Sequence, residues 1–316
     1  MITKKSKIDK LLEQTKDVSK IDKLLEQTKD VSKIDKLLGQ TKNVSKIDKL
    51  LEQTKNELKL KSCRPKTIKS YVRCLKRFLG EVGDRWAVID IPIIKKFLLE
   101  RDAEKLSSSS LNIYLCAIKF FYRHVIGMVD AINIRFIRRR KRLPVVLSHG
   151  EILRIVAGIK NVKHKLIISL AYGAGLRISE VVNLQVQDLD FDRELIYVRN
   201  GKGSKDRVTI LPKKLESDLK LFIEKCDMNE PVFVSQMGGK LTTRTLAKVF
   251  EQSIKRAGIG KTASFHSLRH SFATHMLENG TDIRFLQELL GHTDIKTTEL
   301  YTKVTSKSIQ KLQSPL

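Results

Sequence analysis

Residues 264–304, SFHSLRHSFATHMLENGTDIRFLQELLGHTDIKTTELYTKV, decide how the rest of the chain is read. On a helix of about 3.6 residues per turn, His266, Arg269 and His270 share one side, while Leu268, Phe272 and Met276 fall roughly opposite. One face is expected to pack and the other to carry chemistry. Gly291 is a natural stop for a helix through Leu286, Leu289 and Leu290. His292 follows at once, and Thr293 or Asp294 can cap the next helix, which carries Tyr301. A histidine and a tyrosine are thus both held near a bend.

Working outward, the 316 residues suffice for two or three domains, and 41% hydrophobic content is ordinary for a soluble chain. The formal net charge of +26 is far from ordinary and points to a polyanion, nucleic acid ahead of membrane. No run of eighteen apolar residues occurs, and the lysine-rich N-terminus lacks the apolar core of a signal peptide. A soluble, cytoplasmic protein is expected. Cys63, Cys74, Cys116 and Cys226 have no C-x-x-C spacing, so neither a disulfide framework nor a zinc knuckle is indicated. Reduced thiols are the plain reading.

The N-terminus is an internal repeat: SKIDKLLEQTKDV at 6–18, again at 19–31, with near-copies at 32–44 and 45–57. Each copy is built of good helix formers with an approximately amphipathic stripe. A thirteen-residue period matches neither the seven- nor the eleven-residue repeat of a steady supercoil, so the stripe drifts and a long coiled coil is not expected. Residues 1–57 carry a net charge of only +4, leaving +22 for the rest. They are therefore expected to be an accessory extension, helical or partly disordered, whose removal leaves catalysis intact.

From residue 58 to 135 the composition predicts a helical bundle. Pro65 opens a helix through Ile68, Tyr71, Val72, Leu75 and Phe78, broken by Gly80 and Gly83. Pro92 opens a second through Ile94, Phe97 and Leu98. Residues 107–110 cap a third through Leu111, Tyr114, Leu115, Ile118, Phe121 and Tyr122. The polar faces carry Lys66, Lys69, Arg73, Lys76 and Arg77, which taken alone fit a solvated surface and a phosphate-contacting one equally, and which the whole-chain charge assigns to DNA. Residues 136–147, containing the basic run FIRRRKRL, form the expected linker to a domain spanning 148–316 that starts with an N-cap at Ser148.

Three further features carry chemistry. An apolar helix is broken by Gly173 and Gly175, which puts Arg177 at the start of the next helix with Glu180 three residues on. By itself this pair is no more than a surface ion pair worth a few tenths of a kcal/mol. Residues 195–212, LIYVRNGKGSKDRVTILP, form a β-hairpin with Lys202 between two glycines at its tip, where Lys205 and Arg207 compete for any role. Residues 242–257 form a basic helix bearing Arg244 and Lys248, suited to DNA backbone or groove contact.

Together these features supply Arg177, Lys202, His266, Arg269, His292 and Tyr301 in that order. On GLRISEVVNL, NGKGSKDR, FHSLRHSFATHML and LLGHTDIKTTELYTKV the chain resembles the tyrosine recombinase/integrase family, most closely its Xer-type members. The resemblance covers about residues 58–316, and the N-terminal repeats have no counterpart in it. It implies a mainly α fold with a small antiparallel β-sheet or hairpin in the catalytic domain. A core-binding domain and a catalytic domain would clamp double-stranded DNA at a specific site, with self-association into a tetrameric synapse. It also implies that those six residues are catalytic and that Glu180 braces Arg177. Strand cleavage would leave a 3′-phosphotyrosine, and Lys202 is the matching lysine because it lies between the glycines.

Elementary chemistry agrees. A phosphodiester attacked in line gains negative charge on its non-bridging oxygens, and two guanidiniums can hold those oxygens bidentately without a metal or other cofactor. A phenol with an ordinary pKa of about 10 needs its proton removed or its oxyanion stabilised, and a cationic cluster favours that. Lys202 would protonate the leaving 5′-oxygen, His266 would assist proton transfer and His292 would bond the phosphate. Zinc bound by His266, His270, His275 and His292 is a poor alternative, since no cysteine or carboxylate completes a familiar spacing. His270 and His275 are assigned to helix packing. Two alternatives remain, a type IB-like topoisomerase and an inactive architectural DNA-binding protein. The biological role is either chromosome-dimer resolution or integration and excision of a mobile element.

Overall fold

The computed structural model describes residues 31–128, 132–138, 143–199, 206–235, 238–292 and 294–302, with only the helical backbone described for 31–45. The chain divides into two compact units, Met1–Arg140 and Lys141–Leu316.

The first unit is a helical bundle of α1 (Val31–Leu60), α2 (Pro65–Val82), α3 (Ile91–Ala103) and α4 (Ser108–His124). Its helix starts follow local chemistry. Pro65 occupies the first turn of α2, the Asp90 carboxylate accepts from Ile93 N at 3.0 Å, and Ser107 Oγ accepts from Ser110 N at 3.2 Å. Gly80 does not break α2. A lone exposed glycine costs about 1 kcal/mol against alanine, which the burial of Cys74, Leu75, Phe78, Leu79 and Val82 on the same helix offsets. The stop comes at Gly83, whose φ of +61° suits a glycine. The core is aromatic: Phe78 meets Phe97 edge-on at 5.2 Å, and Phe97 meets Tyr114 at 5.5 Å.

The boundary expected between residues 57 and 58 falls inside α1, a continuous helix of 30 residues. The fourth copy of the repeat contributes Leu50 and Leu51 to the bundle core, and its Thr54 is fully buried, with Oγ1 donating to the Leu50 carbonyl at 2.8 Å. The reason is that one copy's Leu-Leu pair meets an apolar partner here, on α2 and α4, which composition cannot reveal. Residues 1–30, which hold the first copy and nearly all of the second, lie outside the described residues, and for the third copy only the helical backbone is described.

The second unit surrounds a small sheet with helices. α5 (His149–Ala157) starts in a reciprocal capping box, with Ser148 N donating to the Glu151 carboxylate at 2.7 Å and Glu151 N donating to Ser148 Oγ at 3.2 Å. α6 (Val162–Gly173) is largely buried, and α7 (Ile178–Asn183) follows. Between them Gly175 adopts φ +61°, and a Cβ there would lie 2.5 Å from the Phe272 ring. No other residue fits.

The sheet has the order β1 (Leu189–Asp190), β2 (Leu195–Val198), β3 (Arg207–Ile210), antiparallel throughout. Leu195 pairs with Ile210 and Val198 with Arg207, so β2 and β3 are the expected hairpin with one short strand added, while residues 200–205 at its tip lie outside the described residues. α8 (Glu216–Ile223) and α9 (Thr243–Arg256) cover the core, the latter burying Leu246, Phe250 and Ile254. The unit closes with α10 (Phe265–Glu278), α11 (Ile283–Leu290) and the single turn α12 (Glu299–Thr302). Among the described residues no helix is long and apolar enough to cross a membrane.

The packing of the fourth repeat predicts where truncation becomes harmful. Deleting residues 1–30 should leave thermal unfolding of the first unit unchanged, whereas deleting 1–57 should lower its midpoint by several degrees. Leu51→Ala should cost about 2–4 kcal/mol in chemical denaturation. Equal stability of the two truncations would refute this packing role.

Candidate active site

The site is built on the C-terminal end of α11, where helix geometry leaves backbone carbonyls without partners inside the helix. Gly291 ends the helix in the left-handed conformation, φ +61° and ψ +46°. The Leu290 carbonyl accepts from Arg177 Nη2 at 3.3 Å and also from Arg269 Nη2. Two guanidiniums therefore share one helix-terminal carbonyl, at the negative end of the helix dipole.

Arg269 was expected on the chemically equipped, outward side of α10. Instead its side chain is 1% exposed, with Nη1 donating to the Gly175 carbonyl at 2.7 Å. α10 is thus not simply two-faced: Ser267, Leu268, Arg269 and Ser271 are buried together because the helix is enclosed by its neighbours. Arg177 is the N-cap residue of α7, and its pair with Glu180 is no surface pair. Glu180 Oε1 accepts from Arg177 Nη1 at 2.6 Å, and Oε2 accepts from Arg177 N at 2.8 Å and from Arg207 Nη2 at 2.9 Å. Burial pushes the Glu180 carboxyl up, but Arg207 and then Arg177 outweigh it and hold the group below its ordinary value.

His292 is fixed at both nitrogens. Nε2 lies 3.3 Å from Arg269 Nη2 and Nδ1 lies 2.9 Å from Thr298 Oγ1. A guanidinium only donates, so Nε2 is the acceptor and Nδ1 carries the hydrogen that goes to Thr298. Fully buried Thr298 is thus a site residue that no sequence signal singled out. The His292 and Tyr301 rings stack with centroids 6.3 Å apart.

Tyr301 is 2% exposed, and its hydroxyl lies 3.1 Å from His270 Nδ1. His270, assigned above to packing, is therefore the α10 histidine placed against the tyrosine. His266 is exposed, with its ring centroid 4.5 Å from that of His270. The i, i+4 spacing that put the two histidines on one helix face was the available signal. His275 behaves as assigned, bonded through Nδ1 to Tyr172 Oη at 2.8 Å.

The electrostatics follow from burial within a cationic cluster. Burial, reinforced by Arg269, Arg177 and Arg207, pushes His292 down to about 3. Burial, then His266 and Arg269, pushes His270 down to about 4. Burial with Arg177 and Arg207 pushes Arg269 down to about 9, still charged at neutral pH. Tyr301 goes the opposite way from the expected activation: burial raises its phenol, outweighing the opposite pull of Arg269 and Arg177. In the DNA-free protein the tyrosine is a protonated phenol.

Lys202, like Lys205, lies outside the described residues. Lys66, Lys69 and Arg73 are exposed along α2, as are Arg244 and Lys248 on α9, where they border a shallow hollow with Thr245 and Gln252. Arg77 differs, its guanidinium being engaged by Glu81 at 3.2 Å and Glu104 at 2.6 Å. Among the described residues no group of three or more His, Cys, Asp or Glu is arranged to hold a metal ion.

Known proteins share this architecture. The sequence profile of the phage integrase family matches residues 145–308, and that of the phage integrase N-terminal SAM-like domain matches residues 50–129, beginning inside α1 where Leu50 and Leu51 are buried. Tyrosine recombinase XerA of Thermococcus onnurineus is 39% identical over 265 residues, covering 81% of this chain and 91% of that protein. Tyrosine recombinase XerC of Lactobacillus delbrueckii subsp. bulgaricus is 34% identical over 272 residues, covering 79% and 92%. The fold is similar to that of the Tn1549 transposon integrase in complex with transposon right end DNA, with TM-score 0.68, 18% identity and coverage of 83% and 98%. It is likewise similar to XerH bound to a palindromic difH substrate, with TM-score 0.67, 22% identity and coverage of 90% and 89%. The fold class is that of the tyrosine recombinases and integrases. By both sequence profiles and by its identity to full-length relatives, the chain belongs to the phage integrase family.

The depressed histidines fix a pH dependence. Both rings are neutral when folded at neutral pH, whereas the unfolded chain takes up protons near the ordinary value of about 6.5. The stability from keeping them neutral is present above that value and lost as pH falls toward about 4 for His270 and about 3 for His292. The thermal midpoint of the second unit should therefore drop on acidification from neutral pH, and His270→Asn should flatten the drop. An unchanged pH slope in that variant would contradict the assignment.

Proposed function

We propose that this chain is a Xer-like site-specific DNA recombinase that cuts and rejoins strands through a covalent 3′-phosphotyrosine on Tyr301, without metal or ATP. The observation that carries this reading is that Arg177, from far upstream, meets Arg269 on the Leu290 carbonyl, with His292 bonded to Arg269 and Tyr301 stacked on His292.

Tyr301 Oη attacks the phosphorus in line, the bond from phosphorus to the 5′-oxygen breaks, and Lys202 supplies the proton that the 5′-oxygen leaves with. Arg177 and Arg269 hold the non-bridging oxygens, and His292, oriented by Thr298, bonds the same phosphate through Nε2 once the bound phosphate's negative charge lets that nitrogen take up a proton. His270 accepts the phenol's hydrogen bond in the resting state, and once DNA is bound the proton that the phenol loses on attack passes to His266. Burial of Tyr301 at 2% exposure means that the turn carrying it must shift for the hydroxyl to meet DNA. The covalent ester retains the energy of the broken bond, so religation needs no external energy source.

In this reading the helical unit, with its lower boundary within α1, binds DNA through Lys66, Lys69 and Arg73, and residues 136–147 cross the backbone. The unit from residue 148 performs the chemistry, with Arg244 and Lys248 as further DNA-binding residues. Protomers pair on a specific duplex site and assemble into a tetrameric synapse in the cytoplasm. The named relatives favour recombination over topoisomerase activity, and the role is chromosome-dimer resolution or mobile-element movement.

Incubation with a nicked suicide duplex carrying the target site, in the presence of a metal chelator, should trap a covalent protein–DNA adduct. Tyr301→Phe should abolish it, and an adduct persisting in that variant would remove Tyr301 from the role of nucleophile. For the DNA face, replacing Lys66, Lys69 and Arg73 with alanine should weaken binding across sequences. Each phosphate no longer neutralised should reduce the slope of log affinity against log salt by about 0.9, and an unchanged slope would place the DNA-binding surface elsewhere.

A further inference from the structure

Arg207 opens β3, and its side chain is 7% exposed. Its Nη2 is bonded to Glu180 Oε2, but Nε and Nη1 are buried without a hydrogen-bond partner among the described residues. Leaving two guanidinium nitrogens, with three N–H groups between them, unpaired in the interior is unfavourable for folding, so the placement calls for a reason beyond stability. The same side chain runs flat along the α11 terminus: a Cβ on Gly291 would sit 2.5 Å from Arg207 Cδ and 3.2 Å from Nε. Gly291 lies between Leu290, whose carbonyl takes Arg177 and Arg269, and His292.

Among the described residues Glu180 is the carboxylate of this cluster, and three guanidiniums surround it: Arg177 at 2.6 Å, Arg207 at 2.9 Å and Arg269 at 3.9 Å. Three positive charges and one negative leave a formal +2. A phosphodiester carries one negative charge, and in-line attack raises this to two in the transition state. Without Arg207 the cluster would fall to +1, and the carboxylate would draw on the two arginines that hold the phosphate.

We propose that Arg207 is a positioning residue for strand cleavage, the counter-charge that occupies Glu180 so that Arg177 and Arg269 keep their charge for the phosphate, and the prop that holds the Gly291–His292 corner. This rests on the recombinase reading above. Arg207 acts through its neighbours and does not itself touch DNA. It also ties the β2–β3 hairpin, which carries Lys202, to the corner that carries His292.

The test uses the full-length protein and the nicked suicide duplex under single-turnover conditions, with DNA affinity and thermal midpoint measured alongside. Arg207→Met should slow adduct formation by roughly ten- to a hundredfold, in the range of removing one preorganised electrostatic interaction, while DNA affinity stays within about twofold. Arg207→Lys, which keeps the charge, should recover most of the rate. The double variant Arg207→Met/Glu180→Gln should be faster than Arg207→Met alone, because the unmatched carboxylate is gone.

A wild-type rate in Arg207→Met overturns the proposal. So does equal loss in the Lys and Met variants, or a double variant no faster than the single one, since a merely structural arginine would give either result. If the Met variant does not fold, the Lys variant and Arg207→Gln with and without Glu180→Gln carry the same comparison. Failure of the recombinase reading is separately visible as an adduct that survives Tyr301→Phe in the wild-type Arg207 background.

Discussion

Three guanidiniums gathered around the Glu180 carboxylate and the Leu290 carbonyl are the constraint on which the second unit depends. Like charges do not assemble in a buried space without compensation, and the compensation here is shared. One carboxylate faces all three, and one helix-terminal carbonyl serves two of them. The requirement reaches far along the chain. Gly175 must present its carbonyl to Arg269 while leaving room for Phe272, and Gly291 must end α11 with room for Arg207.

The same field governs the titratable groups around it. Burial and the neighbouring cations make imidazolium unfavourable, so His292 and His270 are neutral, and the hydrogen bond from Arg269 decides which His292 nitrogen holds its proton. Tyr301 shows which effect wins in the absence of DNA. Desolvation of the phenolate exceeds the attraction of the arginines, so the resting tyrosine keeps its proton and rests against His270. A phenol held in this way stays inert until its surroundings change.

The first unit is organised by different forces, aromatic edge-to-face packing and apolar burial, and it borrows from the repeats. Near-identical copies cease to be equivalent once one of them has a partner: Leu50 and Leu51 are core residues because the bundle's own apolar side chains meet them. Arg101 illustrates the same logic for a charge, buried over the Phe97 ring and ion-paired with Glu81 and Glu104.

The sequence by itself determined the mainly helical class, the helix starts at Pro65, Ser107 and Ser148, the hairpin over 195–212, the stop at Gly291, and the family. These are legible because caps, glycine conformations and apolar spacing act over a few residues. Only the tertiary structure decided what depends on who meets whom. Arg269 is buried although its helical position looked outward. His270 lies against Tyr301 although it looked equivalent to His275. Thr298 orients His292, Arg207 occupies Glu180, and the fourth repeat belongs to the core. The physical reason is common: burial and pairing are set by which side chains the fold brings together, most of them distant in sequence, and no local pattern records that approach.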